Sequence, residues 1–345
     1  MTTLVPPERT HIAACDRILN SMPSIVRACM RRSRHPSCPH RRVNNDLAAA
    51  LRQLRSFLAP GGFARAGAVI TDLDGTAVIE REGRIWLPPE IELGLKRVHD
   101  LGRPVIANTL RFPLSVIRVF GAEWHRATGT HLPLVSMKGS QIGRVVTSAS
   151  GETAFEEWHA ETLETAEIAE VLKGVEGLVA DGLDDLLVFS YPRDWTRGER
   201  IWTPQARRIE AVRAKYLSAS AVVSGDIASL REELLAEPIC MLFLLIDVPR
   251  DHLMAYQHTD RASFFTHAGV SKKSGAEAIA AHLGIDLGES IGAGDASPDD
   301  FLAACGFAVI VGSSTLDYKG LRDTVRVEGI AALGELLSTI GDSLE

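Results

Sequence analysis

The stretch "AVITDLDGTAV", residues 68–78, decides how the rest of the chain is read. Its apolar residues 68–70 run into Asp72 and Asp74, and Gly75-Thr76 follow at once. In a strand, positions i and i+2 point to the same side, so the two carboxylates share one side of a strand end. A lone carboxylate there is usually a helix cap or a turn residue. Two of them raise a question that only the rest of the sequence answers.

Outward from this stretch, the pattern alternates strands and helices. "GTAVIEREGRIWLP" reads as a short hairpin turning at Glu82-Gly83. Residues 88–102 read as a helix, with proline at the start and glycine at the end. Residues 104–109, "PVIANT", form a second buried strand. Residues 113–124 are helical again, and 132–142, "LPLVSMKGSQI", give a strand with a polar turn. After a gap the alternation resumes: helix 272–285, strand 289–295, helix 299–306, strand 307–314 and a last helix over 329–341. This is the signature of a doubly wound α/β fold, a parallel sheet with helices on its faces. Residues 148–262 differ. Strand-like runs at "DLLVFSY", "SAVVSG" and "CMLFLLIDV" mix with helices expected over 156–174, near 204–217 and over 226–236. They read as an α+β unit inserted into the first. The expected organisation is a core of residues 44–147 and 263–345, an inserted unit of 148–262, and a basic extension of 1–43 that does not pack.

Ligands of a parallel sheet bind at the carboxyl ends of its strands, near a switch in strand order. Asp72, Asp74, Thr109 and Asp295 all fall at such ends. Asp299 and Asp300 follow in "GDASPDD", and Lys272 opens the helix before that strand. Converging carboxylates repel one another unless a cation joins them. Hard oxygen ligands with no accompanying His or Cys point to Mg²⁺ rather than zinc.

"DLDGT", a Thr after the next strand, a Lys opening a later helix and a "GD…D" cluster together resemble the haloacid dehalogenase (HAD) superfamily of phosphatases. The arrangement is similar to its Cof-type members, which carry a large α/β cap between the second and third motifs, and the resemblance covers roughly residues 67–340. It implies a Rossmann-like core and an aspartyl-phosphate mechanism. On it, Asp72 is the nucleophile, Asp74 the general acid and then base, and Thr109 a hydrogen-bond donor to the phosphoryl group. Lys272 balances charge. Asp72, the Asp74 carbonyl, Asp295 and Asp299 hold or orient Mg²⁺, and Gly75 and Thr76 border the phosphate. Three departures stand out. Thr109-Leu110-Arg111 replaces Thr-Gly-Arg, Lys273 follows Lys272 where a Gly is usual, and Pro298 replaces a common Asn. The choice between Asp299 and Asp300 stays open. Arg111 is a candidate substrate contact.

The bulk properties set limits. The chain has 345 residues, 46% hydrophobic and 23% charged, the composition of a globular protein. Its longest apolar run, 240–246, is too short to span a bilayer. No signal peptide is apparent, and five cysteines do not read as a disulfide framework, so a reducing, cytoplasmic setting is expected. Residues 1–60 hold ten Arg, no Lys and three acids, a net +7 against −7 for the whole chain, which leaves −14 on residues 61–345. Such an acidic body does not favour nucleic acid as a partner. Cys29, His35, Cys38 and His40 in the extension match no common zinc spacing.

Lys138, in "MKGSQI", is a candidate cationic contact. In "YPRDWTRGER", 191–200, Arg193, Trp195 and Arg197 alternate as a loop that could reach over a sugar phosphate would; a solvated loop with one anchoring Trp is the equal alternative. His267 reads as a satisfied surface or hinge residue more than a substrate contact. The functional expectation is a Mg²⁺-dependent phosphatase acting on a small phosphorylated, sugar phosphate-like metabolite. A phosphotransferase or mutase on the same scaffold is the alternative, or a binding module working through its basic N-terminus. The oligomeric state is not legible.

Overall fold

The computed structural model describes residues 47–81, 84–245 and 262–344. The basic extension with its Cys and His residues, the turn at Glu82-Gly83 and the end of "CMLFLLIDV" lie outside the described residues. In chain order the core opens with α1 (Leu47–Leu58), α2 (Gly62–Ala66), β1 (Val69–Thr71) and the hairpin β2 (Ile79–Arg81) and β3 (Arg84–Trp86). Next come α3 (Pro89–Asp100) and β4 (Val105–Asn108). A helical stretch follows, built from α4 (Pro113–Val116), a π-helical turn at Ile117–Gly121 and α5 (Ala122–Thr128). β5 (Leu132–Ser136), β6 (Gln141–Thr147) and β7 (Thr153–Ala160) complete the first passage.

The second unit contains α6 (Thr165–Ala180), β8 (Leu187–Pro192), β9 (Arg200–Thr203), α7 (Ile209–Lys215), β10 (Ala221–Ser224), α8 (Ile227–Leu235), β11 (Ile239–Leu245) and β12 (Ala262–Phe265). The chain then returns through α9 (Lys272–Leu283), β13 (Ile291–Gly294), β14 (Phe307–Val311), β15 (Asp323–Val327) and α10 (Ile330–Leu344).

The main sheet has eight strands in the order β15-β14-β13-β1-β4-β5-β6-β7. The six strands from β15 to β5 are parallel, and β6 and β7 add an antiparallel hairpin at one end. Strands buried on both faces read as unbroken apolar runs, which is why "AVI" and "FAVIV" carry no alternation. Ile70, Ile106 and Ile310 pack with Ile279 of α9 on one face. Val69, Val105 and Val309 pack with Leu54 of α1, Leu95 of α3 and Leu336 of α10 on the other. From β1 the chain moves first to β4 and later returns to β13 on the opposite side. The switch point therefore lies at the carboxyl end of β1, beside Asp72.

The second sheet runs β10-β9-β8-β11-β12. One face is covered by α6 and α8 through Ile168, Val175, Leu230 and Leu234. The other face, with Phe189, Tyr191 and Met241, packs on α7 and on Phe112 and Met137 from the carboxyl end of the main sheet.

Two expectations are corrected. The helix expected over 156–174 begins only at Thr165, behind a Glu164–Glu167 capping box. Residues 153–160 are strand β7, because pairing with β6 overrides the helix-forming composition of "EEWHA". Phe155 turns into the core, while Glu156 bonds Arg144 across the hairpin at 2.9 Å. The helix expected over 299–306 shrinks to a 3-10 turn at Asp300–Ala303. Asp299 is withdrawn from the helix because its side chain binds the N–H groups of Asp295 and Ala296. β9, β12 and β15 have no counterpart in the sequence reading.

Candidate active site

The strand register brings the site together. Thr71 pairs with Ala293 on one side and Ala107 on the other, so Asp72, Gly294 and Asn108 lie on one row at the strand ends. The Asp72 N–H donates to the Ala293 carbonyl at 2.9 Å and fixes the row. α9 starts beside it. Its Ser271 cap accepts from the N–H groups of Lys273 and Ser274, which places Lys272 at the first helical position, pointing inward at 1% exposure.

The Lys272 ammonium donates to Asp72 Oδ1 at 2.6 Å and to Asp299 Oδ1 at 2.7 Å. Asp299 Oδ2 accepts the N–H groups of Asp295 and Ala296, both at 2.9 Å. Both its oxygens are thus engaged in holding other groups. Asp300 accepts the Lys273 N–H at 2.8 Å and faces the helix terminus. Thr76 donates its hydroxyl to Asp295 Oδ1 at 3.0 Å. Gly75 sits at φ +79°, and a Cβ there would lie 2.5 Å from Asp295 Oδ2. Glycine is required on both counts.

Burial drives the electrostatics. It pushes the Asp72 carboxyl well above the usual range; Lys272 pulls against it, while Asp299, Asp295 and Asp74 push further. Asp295 is pushed up to about 6, first by burial and then by Asp299, against the Thr76 hydrogen bond. Burial alone would lower Lys272, but Asp299 and Asp72 outweigh it and keep the ammonium charged. Asp72, Asp295 and Asp299 each offer a carboxylate oxygen within 4.8 Å of the others. An all-oxygen, largely buried, over-negative set fits a hard divalent cation such as Mg²⁺.

Asp74 lies at the rim, 27% exposed, and is gripped by a buried arginine. Arg111 donates through Nε to Asp74 Oδ2 at 2.7 Å and through Nη2 to Oδ1 at 2.5 Å. Its remaining Nη1 donates to Ser115 at 2.9 Å. This fork matches a carboxylate's geometry in a way lysine cannot. Thr109 is fully buried between the two, and its Oγ1 accepts the Arg111 N–H at 3.2 Å.

Of the residues singled out in the sequence, Asp72, Asp74, Gly75, Thr76, Thr109, Arg111, Lys138, Lys272, Asp295 and Asp299 therefore lie at one end of the main sheet. Arg193 has a partner of its own: it donates to Glu157 at 2.6 Å beside an open cleft of about 560 Å³. Trp195 packs against the main core, and Arg197 pairs with Glu237 at 3.1 Å. His267 pairs with Glu167 at 3.0 Å. Sequence reasoning missed Asn108, whose Nδ2 donates to the Lys272 carbonyl at 2.9 Å, and Ser115 behind Arg111. Asn108 had a visible signal, a polar residue ending a buried strand one before Thr109. Ser115, four residues after Arg111, had a weaker one.

No family model matches this sequence, and no curated protein matches it. Solved structures do match. The phosphatase BT1666 of the HAD superfamily from Bacteroides thetaiotaomicron is 17% identical, with 82% of this chain and 98% of that one covered at a TM-score of 0.57. A HAD/COF-like hydrolase from Plasmodium vivax is 19% identical over 82% of this chain and 98% of its own, at a TM-score of 0.58. The HAD subclass IIB sugar phosphatase BT4131 is 14% identical over 79% and 99%, at 0.53. Among the described residues, no helix is long and apolar enough to cross a membrane. The parallel sheet, its switch point at Asp72 and these neighbours agree: the chain has the fold of the haloacid dehalogenase superfamily.

Proposed function

We propose that this protein is a Mg²⁺-dependent phosphatase that hydrolyses a small phosphorylated metabolite through an aspartyl-phosphate on Asp72. The observation that carries the reading is Lys272, buried and charged, bonded at once to Asp72 and Asp299. A structural ion pair needs neither two carboxylates nor a third, Asp295, within ligand distance. Three converging carboxylates call for a cation, and a cation beside Lys272 is what a phosphoryl dianion needs.

In this reading Asp72, Asp295 and the Asp74 carbonyl hold the metal, with Asp299 orienting its surroundings. When bound, Mg²⁺ supplies positive charge against the incoming phosphoryl group. Lys272 holds the Asp72 carboxylate and offsets the charge that develops around it. Asp72 attacks phosphorus; a new bond from its carboxylate oxygen forms as the ester P–O bond breaks. Asp74, once protonated with one oxygen released by Arg111, gives that proton to the departing alkoxide, then takes one from the water that attacks phosphorus and frees Asp72. Arg111 sets where Asp74 stands. Thr109 contacts the transferred group, beside Gly75 and Thr76.

The five-stranded unit serves as the cap. Because β7 belongs to the main sheet, we draw its start after Ala160 rather than at 148, and its return near 262. Its apolar face rests on Phe112 and Met137, whose rim borders the site. Opening and closing there would admit substrate and then water. Arg193 and Arg197 are already matched by glutamates, so the sugar-phosphate contact expected from them is left out of the mechanism.

The test is phosphate release from a panel of phosphorylated metabolites and an aryl phosphate, with and without Mg²⁺, beside Asp72→Asn. Sugar phosphates head the panel because one structural neighbour is described as a sugar phosphatase. Metal-dependent release that disappears in the variant is expected. A rise in melting temperature with Mg²⁺ that Asp295→Asn abolishes would report the metal site without turnover. Transfer of the phosphoryl group to an added acceptor alcohol, as a new ester without free phosphate, would make the protein a phosphotransferase, and neither release nor transfer under any condition would overturn the reading.

A further inference from the structure

The turn after β5 is strained in a way no other described segment is. Met137, Lys138 and Gly139 occupy the left-handed region in succession, at φ 47°, 61° and 107°. Met137 and Lys138 are the only non-glycine residues with positive φ among the described residues. L side chains seldom adopt that conformation, and where they do a surrounding structure enforces it. Here the enforcing groups belong to the site. The Met137 N–H donates to the Arg111 carbonyl at 3.0 Å, and the Lys138 N–H to the Thr109 carbonyl at 3.2 Å. On the other side, a Cβ on Gly139 would lie 2.2 Å from the Ser271 carbonyl. The turn is thus wedged between the Thr109–Arg111 loop and the start of α9.

The cations nearby are spoken for. Arg111 is bound to Asp74, Lys272 to Asp72 and Asp299, and Lys273 approaches Glu277 at 3.8 Å. Lys138 is half-buried, and among the described residues its ammonium has no hydrogen bond or ion pair. The same turn carries a buried hydroxyl without a partner, Ser140 Oγ. Buried polar groups are normally paired. A free ammonium and a free hydroxyl on one enforced turn, beside the phosphoryl-binding loop, are what a polar substrate would satisfy.

We propose that the 137–140 turn recognises the part of the substrate beyond the transferred phosphoryl group, and that Lys138 binds a second anionic group there, phosphoryl or carboxylate. This rests on the phosphatase reading of the same site. The substrate class is then a hydroxylated metabolite phosphate with a second negative charge.

The test compares a hexose monophosphate with a hexose bisphosphate and a phosphorylated sugar acid. In the wild type, kcat/KM for at least one doubly anionic compound should exceed that for the monophosphate by about tenfold or more, as for a charged hydrogen bond. Lys138→Met should bring the ratio to within about twofold through KM, and Lys138→Arg should restore most of it. Whether the bisphosphate or the acid shows the preference identifies the second group. The same ratio is read as relative binding affinity, by calorimetry, on Asp72→Asn protein with and without Lys138→Met. A discrimination in binding that Lys138→Met removes, together with no phosphate release by the wild type from any compound, would uphold Lys138 and defeat the phosphatase reading. Phosphate release with no preference for a second anion, or a preference untouched by Lys138→Met, would overturn the Lys138 proposal and leave the phosphatase reading standing.

Discussion

Two clusters of opposite charge can be set side by side. At the end of the main sheet, Lys272, Asp72 and Asp299 are buried and bonded within 2.7 Å. On the 191–200 loop, Arg193 and Arg197 pair with Glu157 and Glu237 at similar distances, yet both arginines are half exposed. Distance alone would rate the two alike. Solvent separates them, because an exposed pair is screened and contributes little, while a buried one leaves a costly orphan when a partner is removed. The arginine-rich loop was a candidate sugar-phosphate contact in the sequence, but its charges are satisfied locally.

The largest expected difference follows from Lys272→Met. The variant leaves Asp72 and Asp299 uncompensated, so chemical denaturation should show a loss of about 3 kcal/mol or more. Wild-type stability from this variant would mean that the buried charges are not coupled. Next is Arg111→Lys. It keeps the charge but loses the fork on Asp74, and kcat should fall about 100-fold as Asp74 loses its position. An unchanged kcat would remove Arg111 from the mechanism. Arg193→Ala should then change kcat/KM by less than about threefold and stability by less than about 1 kcal/mol. A loss of activity comparable to that of Arg111→Lys would place the loop back in the site and erase the contrast.

The smallest effect concerns the pair His267–Glu167, which ties the returning chain to the start of α6. The Glu167 hydrogen bond, with help from Glu164 and Glu161, raises the His267 pKa above its ordinary value. Its contribution is therefore complete below the unfolded value near 6.5 and fades as pH rises through the higher folded value. Melting curves of His267→Gln and wild type should differ by about 1 °C at pH 6 and converge by pH 9. A difference that grows with pH would contradict the assigned sign.

What the sequence revealed depended on how local the physics was. Asp72, Asp74, Asp295 and Lys272 were legible because strand ends and helix starts have local signatures, and a parallel sheet gathers strand ends by rule. The grip of Arg111 on Asp74 was not legible, since it depends on a fork reaching across two strands. The strand at 153–160 was hidden by helix-forming residues whose conformation is set by β6. The exposure of the arginines at 193 and 197 could not be read either, because their partners Glu157 and Glu237 lie 36 and 40 positions away.

The most direct test of the central claim is acid-quenched mass spectrometry of protein mixed with Mg²⁺ and the best substrate of the panel. The account predicts one added phosphoryl group on the peptide containing Asp72, absent from Asp72→Asn and discharged by water as phosphate appears. A phosphoryl group on another residue, or steady phosphate release by Asp72→Asn, would contradict it.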